Sequence, residues 1–177
     1  AHAHEDGAPV DALLRVLPGG ALLYGIEAHS DSLRTVKRLG GVADGNVHLE
    51  VRGGMADGKV SARYEASGRG IVAGSARIDA ATVRGTLHGP PPDFEIDTDA
   101  SLSGLSVDAE GGERTALKSA VVHATGPLLS PFLSAKVEDA AGGTAHAEAR
   151  LDVRARSASG VTFGVERDGE RAQGKVE

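Results

Sequence analysis

The chain is 177 residues long, carries a formal net charge of −6 and contains no cysteine. That length predicts one domain, the acidic balance without a basic patch argues against a nucleic-acid partner, and the lack of thiols excludes a disulfide framework or a Cys-based metal site or nucleophile. Aromatic residues make up only 3% of the chain, with no Trp and 25 Gly, so the side chains that supply much of the buried area in ordinary cores are nearly missing.

Residues 1–19 are expected to form a flexible lead-in, and 20–177 a single segment. Within it, "DALLRVLPGG" (Asp11 to Gly20) joins a cap-like Asp, a short apolar run and a Pro-Gly-Gly stop, which fits a helical turn or a strand equally. "ALLYGIEAHS" follows as a strand. In "SDSLRTVKRLGG", Ser30 or Asp31 can cap, Leu33, Val36 and Leu39 lie about one turn apart, Lys37 and Arg38 fill the last turn and Gly40-Gly41 stop it. This predicts one short helix near 31–39.

Beyond it the period is two, the mark of strands with one wet and one dry side. "GNVHLEVRG" sets Val47, Leu49 and Val51 against His48, Glu50 and Arg52. "GKVSARYEASG" sets Val60, Ala62, Tyr64 and Ala66 against Ser61, Arg63 and Glu65. "SARIDAATVRGTLHG" slips from Ala76, Ile78 and Ala80 to Val83, Gly85 and Leu87, which predicts a bulge near Ala81-Thr82. "DFEIDTDASLSG" alternates Phe94, Ile96, Thr98, Ala100 and Leu102 with acids and serines. "ERTALKSAVVHATG", "PFLSAKVEDA" (Leu133, Ala135, Val137), "TAHAEARLDVRA" (Ala145 through Leu151, Val153 and Ala155) and "GVTFGVERDG" (Val161, Phe163, Val165) complete eight to ten strands. None of these reads as apolar on both faces, which excludes a parallel sheet buried between helices. A dry side built from Ala and Val is too thin to fill the ~10 Å between sandwiched sheets. The pattern favours one sheet that curls around a space.

Three segments echo one another at a period near 40 residues: "VHLEVRGGMADGKVSARYEASG", "VRGTLHGPPPDFEIDTDASLSG" and "VHATGPLLSPFLSAKVEDAAGG". Each is strand, Gly-containing turn, strand, ending in a small residue and Gly, a weak internal repeat. Together with "LLYGIEAHSDSLRTVKRLGGVADGNVHLEVRG", this pattern resembles the TamB family (translocation and assembly module inner-membrane subunit) and, more broadly, AsmA-like bridge-like lipid-transport proteins, over most of residues 20 to 155. The resemblance implies an all-β, elongated, curved antiparallel sheet forming a U-shaped, taco-like groove with an apolar concave face. It implies a segment of a periplasm-spanning protein that carries phospholipid acyl chains between inner and outer membranes, a family also linked to outer-membrane protein assembly. The parent protein would be anchored in the inner membrane and would meet an outer-membrane barrel partner of the BamA type. No leader or apolar run of membrane-spanning length occurs in these residues, and the opening "AHAHEDGAPV" gives the expectation of a piece of a longer chain. The residues expected to line the groove are Val47, Leu49, Val51, Val60, Ala62, Tyr64, Ile78, Val83, Leu87, Phe94, Ile96, Ala100, Leu102, Leu133, Val137, Ala147, Leu151, Val153 and Phe163. The alternative is a structural or adhesive β-solenoid or sandwich with a sealed aliphatic core and no lipid.

Chemistry has little to stand on. His2 and His4 form H-x-H, and His29, His48, His88, His123 and His146 are scattered, with no third and fourth ligand at metal spacing. Asp97 and Asp99 share a wet face with nothing apolar to raise a pKa. No G-x-S-x-G elbow occurs, and "GRGIVAG" and "GPPPDF" lack the Lys-Ser/Thr and helix of a phosphate loop. The expectation is no enzyme, no catalytic residue, no metal and no cofactor. Open sheet edges also invite self-association of the chain.

Overall fold

The period-two segments form strands, and every strand pairs with the next one in sequence. The computed structural model describes residues 2–5, 8–32, 42–108 and 114–176. Its strands are β1 (His2–Glu5), β2 (Ala8–Val16), β3 (Leu22–Ser30), β4 (Val42–Ala56), β5 (Lys59–Ala73) and β6 (Ala76–Gly89). They continue as β7 (Glu95–Asp108), β8 (Arg114–Pro127), β9 (Phe132–Asp139), β10 (Thr144–Asp152), β11 (Ser157–Arg167) and β12 (Glu170–Val176). All twelve lie in one antiparallel sheet in the order β1 to β12, with β1 and β12 as its two open edges. The weak repeat is one hairpin per unit: β4–β5, β6–β7 and β8–β9, with Val47 opposite Gly68, Val83 opposite Ala100 and Val122 opposite Ala135.

Several expectations change. Asp11–Gly20 resolves as a strand and turn, and β2 pairs along β3 from Val10 opposite Ala28 to Val16 opposite Leu22. The sheet therefore reaches into the first 19 residues. β12 was missed: in "ERAQGKV" Ala172, Gly174 and Val176 alternate with Arg171, Gln173 and Lys175, but the apolar side is small and short, and pairing with β11 places it. Of the short helix expected near 31–39, residues 33–39 lie outside the described residues; Asp31 is a bend, Ser32 is irregular, and no helix occurs among the described residues.

The bulge expected near Ala81-Thr82 does not occur: β6 keeps one register with β5 and with β7, and the ladder is interrupted along a seam at Asp79. Ala81 and Thr82 pair regularly with Leu102 and Ser101, while Asp79 falls between Gly70 and Gly104, both at positive φ (60° and 63°). Register shifts at Asp44/Asn46 in β4 and Leu117/Ser119 in β8 continue the line, so it crosses five strands. Each extra or left-handed residue advances the side-chain alternation by one. Ile71 thereby turns to the side of Gly68, where its Cδ1 lies 2.7 Å from where a Cβ would stand.

No second layer covers the sheet among the described residues, and no large side chain is fully buried. The accessible surface is 11904 Å², against about 8,000 Å² for a compact protein of this mass. Three of the five rings lie flat. Tyr24 lies over its cross-strand partner Gly53, where a Cβ would stand 2.5 Å from its Oη, and Tyr64 lies over Gly85 at 2.7 Å. The Tyr64 hydroxyl then reaches across β6 to hydrogen-bond Thr98 Oγ1. Phe163 covers Gly174 in the same way. A glycine opposite each ring is what lets an aromatic lie along the sheet.

Gly85→Val places a branched side chain where the Tyr64 ring lies. The expected loss is ~1–3 kcal/mol, read as a lowered denaturant midpoint, and the Gly85→Val/Tyr64→Ala double variant recovers part of it. An unchanged midpoint in Gly85→Val would mean the ring is not held there.

Candidate functional site: the two sides of one sheet

Cross-strand partners share a side, so register alone builds the site. One row runs Ala28, Leu49, Ala66, Val83, Ala100, Val122, Ala135, Ala147, Phe163 and Gly174. The row beside it runs Ile26, Val51, Tyr64, Gly85, Thr98, Ala124, Leu133 and Ala149, and on the other flank runs Ser30, Val47, Gly68, Ala81, Leu102, Ala120, Val137, Ala145, Val165 and Ala172. Ala62, Leu87 and Ile96 lie in the row of Tyr24, and Val60 in the row of Leu22 and Met55. Fifteen of the expected lining residues are thus brought into adjoining rows.

The other four stand apart. Ile78 lies beyond the seam, opposite Ile71. Phe94 precedes β7, half-buried, with its carbonyl accepting from Leu128 N at 2.8 Å. Leu151 sits near the end of β10 opposite Ala158. Val153 falls in the turn after β10 and is not in a strand, because the Asp152 carboxylate accepts from Ala155 N (2.8 Å) and offers the backbone a turn in place of a ladder. Tyr24, Ile26 and Met55 were missed on this side, although the even positions of "LLYGIEAH" carry the same alternation. In β8 the phase was unreadable by sequence; pairing with β7 puts Ala120, Val122 and Ala124 with the aliphatic rows.

The opposite side is charged. Asp11, Glu27, Glu50, Glu65, Arg84, Asp99 and His123 form one cross-strand row. Arg52 pairs with Glu50 along its strand, Arg84 lies 3.8 Å from Asp99, and His123 Nδ1 lies 3.0 Å from Asp99 and 3.9 Å from Asp97. His88 meets Glu95 at 3.1 Å and Lys118 meets Glu138 at 2.7 Å. These pairs are largely exposed, so each contributes about 0–1 kcal/mol; their effect is to keep this side wet. Asp97 and Asp99 stand in that solvated setting, with His123 on the same side. Among the described residues no group of three or more His, Asp or Glu is placed to hold a metal ion, and no helix is long and apolar enough to cross a membrane.

At the end of the aliphatic rows, Leu117, Val137, Ala145 and Val165 floor a shallow depression bordered by Asp139 and Arg167. Asp139 closes the β9–β10 turn: its Oδ1 accepts from Gly143 N and Ala141 N, both at 2.8 Å. The Gly143 bond, offset by desolvation and aided by Ala141 and the Arg167 charge, holds this carboxyl below its ordinary 3.8. No family model, no curated protein and no solved structure matches this chain.

A carboxyl depressed on folding adds stability above its unfolded pKa that is lost as pH falls through the folded value. The wild-type chain is therefore expected to melt above Asp139→Asn at pH 6, with the difference shrinking below pH ~3.8. Thermal melts of both at pH 6 and pH 3 check this; a pH-independent gap would assign the effect to lost hydrogen-bond geometry alone.

Proposed function

We propose that this chain is a segment of a lipid-conducting protein of the TamB or AsmA-like kind, whose aliphatic side carries phospholipid acyl chains through the periplasm. The observation that carries the reading is the continuous set of Ala, Val and Leu rows on one side of a single sheet, with no protein layer over them among the described residues. A sealed sandwich or solenoid core needs a second wall of side chains facing the first. Here a guest supplies the missing apolar volume. A chain of about fifteen methylenes leaving water at ~0.8 kcal/mol each gains on the order of ten kcal/mol.

Two further features favour a groove concave toward the aliphatic rows. In Lys59–Ala66, Glu95–Ala100 and Ala145–Asp152, aliphatic-row residues are half-buried while their neighbours on the charged side are exposed. A flat single layer offers both sides equally to water. The other feature is the register shifts in β4 and β8, since bulged strands coil more strongly. In this reading the residues that act are the row residues from Val47 to Phe163, none of them catalytic. The parent protein is anchored in the inner membrane and reaches a barrel partner of the BamA type in the outer membrane, where lipid supply and outer-membrane protein assembly meet.

The test is native mass spectrometry with lipid extraction on the chain loaded from phosphatidylethanolamine/phosphatidylglycerol vesicles. Leu49→Asp/Leu102→Asp is measured beside it, with far-UV circular dichroism to show a retained sheet. Bound phospholipid in the wild type that falls at least tenfold in the folded variant is the expected result. Absence of lipid from the loaded wild type, or equal lipid in both, overturns the reading.

A further inference from the structure

None of the residues in the aliphatic rows is charged. One row further, at the ends of β9 and β11, that rule breaks. The row runs Leu105, Leu117 and then Asp139. Two residues beyond Val165 stands Arg167, whose cross-strand partner is Glu170. The shallow depression at the end of the aliphatic rows is where these meet. Leu117, Val137, Ala145 and Val165 form its floor, and Asp139 and Arg167 stand on its border. The β9–β10 turn accounts for only part of this. Its amides at Gly143 and Ala141 are both taken by Asp139 Oδ1 at 2.8 Å, so Oδ2 can meet a further donor. Arg167 approaches Asp168 at 3.8 Å, Nε to Oδ2, which is beyond hydrogen-bond length, and its side chain is 63% exposed.

We propose that this corner seats the headgroup of a zwitterionic phospholipid of the phosphoethanolamine class. Arg167 meets the phosphate, Asp139 meets the ammonium, and the acyl chains leave over Val137, Ala145 and Val165 into the aliphatic rows. The inference deepens the lipid-conducting reading and rests on it. Three observations select the occupant. The floor is apolar and continuous with the rows, so the ligand carries chains as well as charge. The border holds both signs, and phosphoethanolamine carries both signs a few bonds apart. The planar guanidinium fork suits a phosphate, and an ammonium brings N–H donors to a carboxylate. Last, carboxylates outnumber the cation, since Asp168 and Glu170 follow Arg167 in the chain. An anionic headgroup such as phosphatidylglycerol would satisfy Arg167 and leave Asp139, Asp168 and Glu170 facing more negative charge, a juxtaposition that costs affinity. The ammonium of phosphoethanolamine removes that cost. The corner therefore discriminates between headgroups that the aliphatic rows accept equally.

The test loads the chain from vesicles of equimolar phosphatidylethanolamine and phosphatidylglycerol with matched acyl chains and identifies bound lipid by native mass spectrometry. Phosphatidylethanolamine is expected to exceed phosphatidylglycerol at least threefold on the wild-type chain. Arg167→Gln is expected to lower bound phosphatidylethanolamine at least threefold, and Asp139→Asn to bring the ratio of the two lipids toward one. Both variants are measured below their melting temperatures, with far-UV circular dichroism to show a retained sheet. Arg150→Gln, which removes a cation from the charged side, is expected to change neither quantity. Bound lipid that mirrors the vesicle composition overturns this inference and leaves the aliphatic rows as a lipid surface. So does an ethanolamine preference that survives Arg167→Gln and Asp139→Asn alike, which would assign it to lipid packing in the vesicle. Absence of lipid from the loaded wild type overturns this inference and the conducting reading together.

Discussion

The main-chain ladder between sequential strands is the constraint on which the rest depends. With no large side chain fully buried and no second layer among the described residues, the strands are not held by a packed interior. They are held by neighbour-to-neighbour hydrogen bonds, each worth about 0.5–1.5 kcal/mol net, and by the cross-strand side-chain pairs that the same ladder aligns. Register then decides everything at the level above. It separates aliphatic from charged rows, sets Tyr24, Tyr64 and Phe163 over glycines, and places the seam at one height in five strands.

The flat rings and the alanines act together. A tyrosine standing upright would fill space above the sheet; laid over Gly53 or Gly85 it covers backbone and leaves that space open. Its apolar area still protects the ladder from water, and the Tyr64–Thr98 hydrogen bond satisfies the hydroxyl that this position would otherwise leave beside aliphatic neighbours. The result is a thin wall whose aliphatic rows have no second layer over them among the described residues. The charged side keeps the same wall soluble without any of its ion pairs needing to be strong.

Much of this was legible in the sequence. β4, β5, β7 and β10 announce themselves because a period-two pattern runs through most of each, and the all-β class and most of the aliphatic rows follow from it. The failures have physical causes. β2 is apolar on both sides, so its period is hidden, and β12 alternates only Ala172, Gly174 and Val176 with polar residues, too small an apolar side to read as a strand. Val153 continues the alternation on paper, but the Asp152 side chain competes successfully for the backbone. Phe94 continues the β7 pattern one residue beyond the ladder. The bulge expected in β6 is absent, because the irregularity lies in its neighbours, where Gly70 of β5 and Gly104 of β7 are left-handed. The phase of β8 depends on a bulge at Leu117/Ser119 that only pairing defines, and the ring-over-glycine contacts are likewise invisible until the register is known.

The strictly sequential strand order also sets how the molecule can grow and come apart. Each hairpin pairs only with the strands on either side, so stability is approximately a sum of local terms along one dimension, as in repeat arrays. Adding or removing a whole hairpin changes the width of the wall and leaves both chain direction and side-chain phase intact. Losing a single strand reverses the direction of everything that follows. Length is therefore adjustable in units of two strands, and opening is expected to start at the outer hairpins and to leave the centre paired.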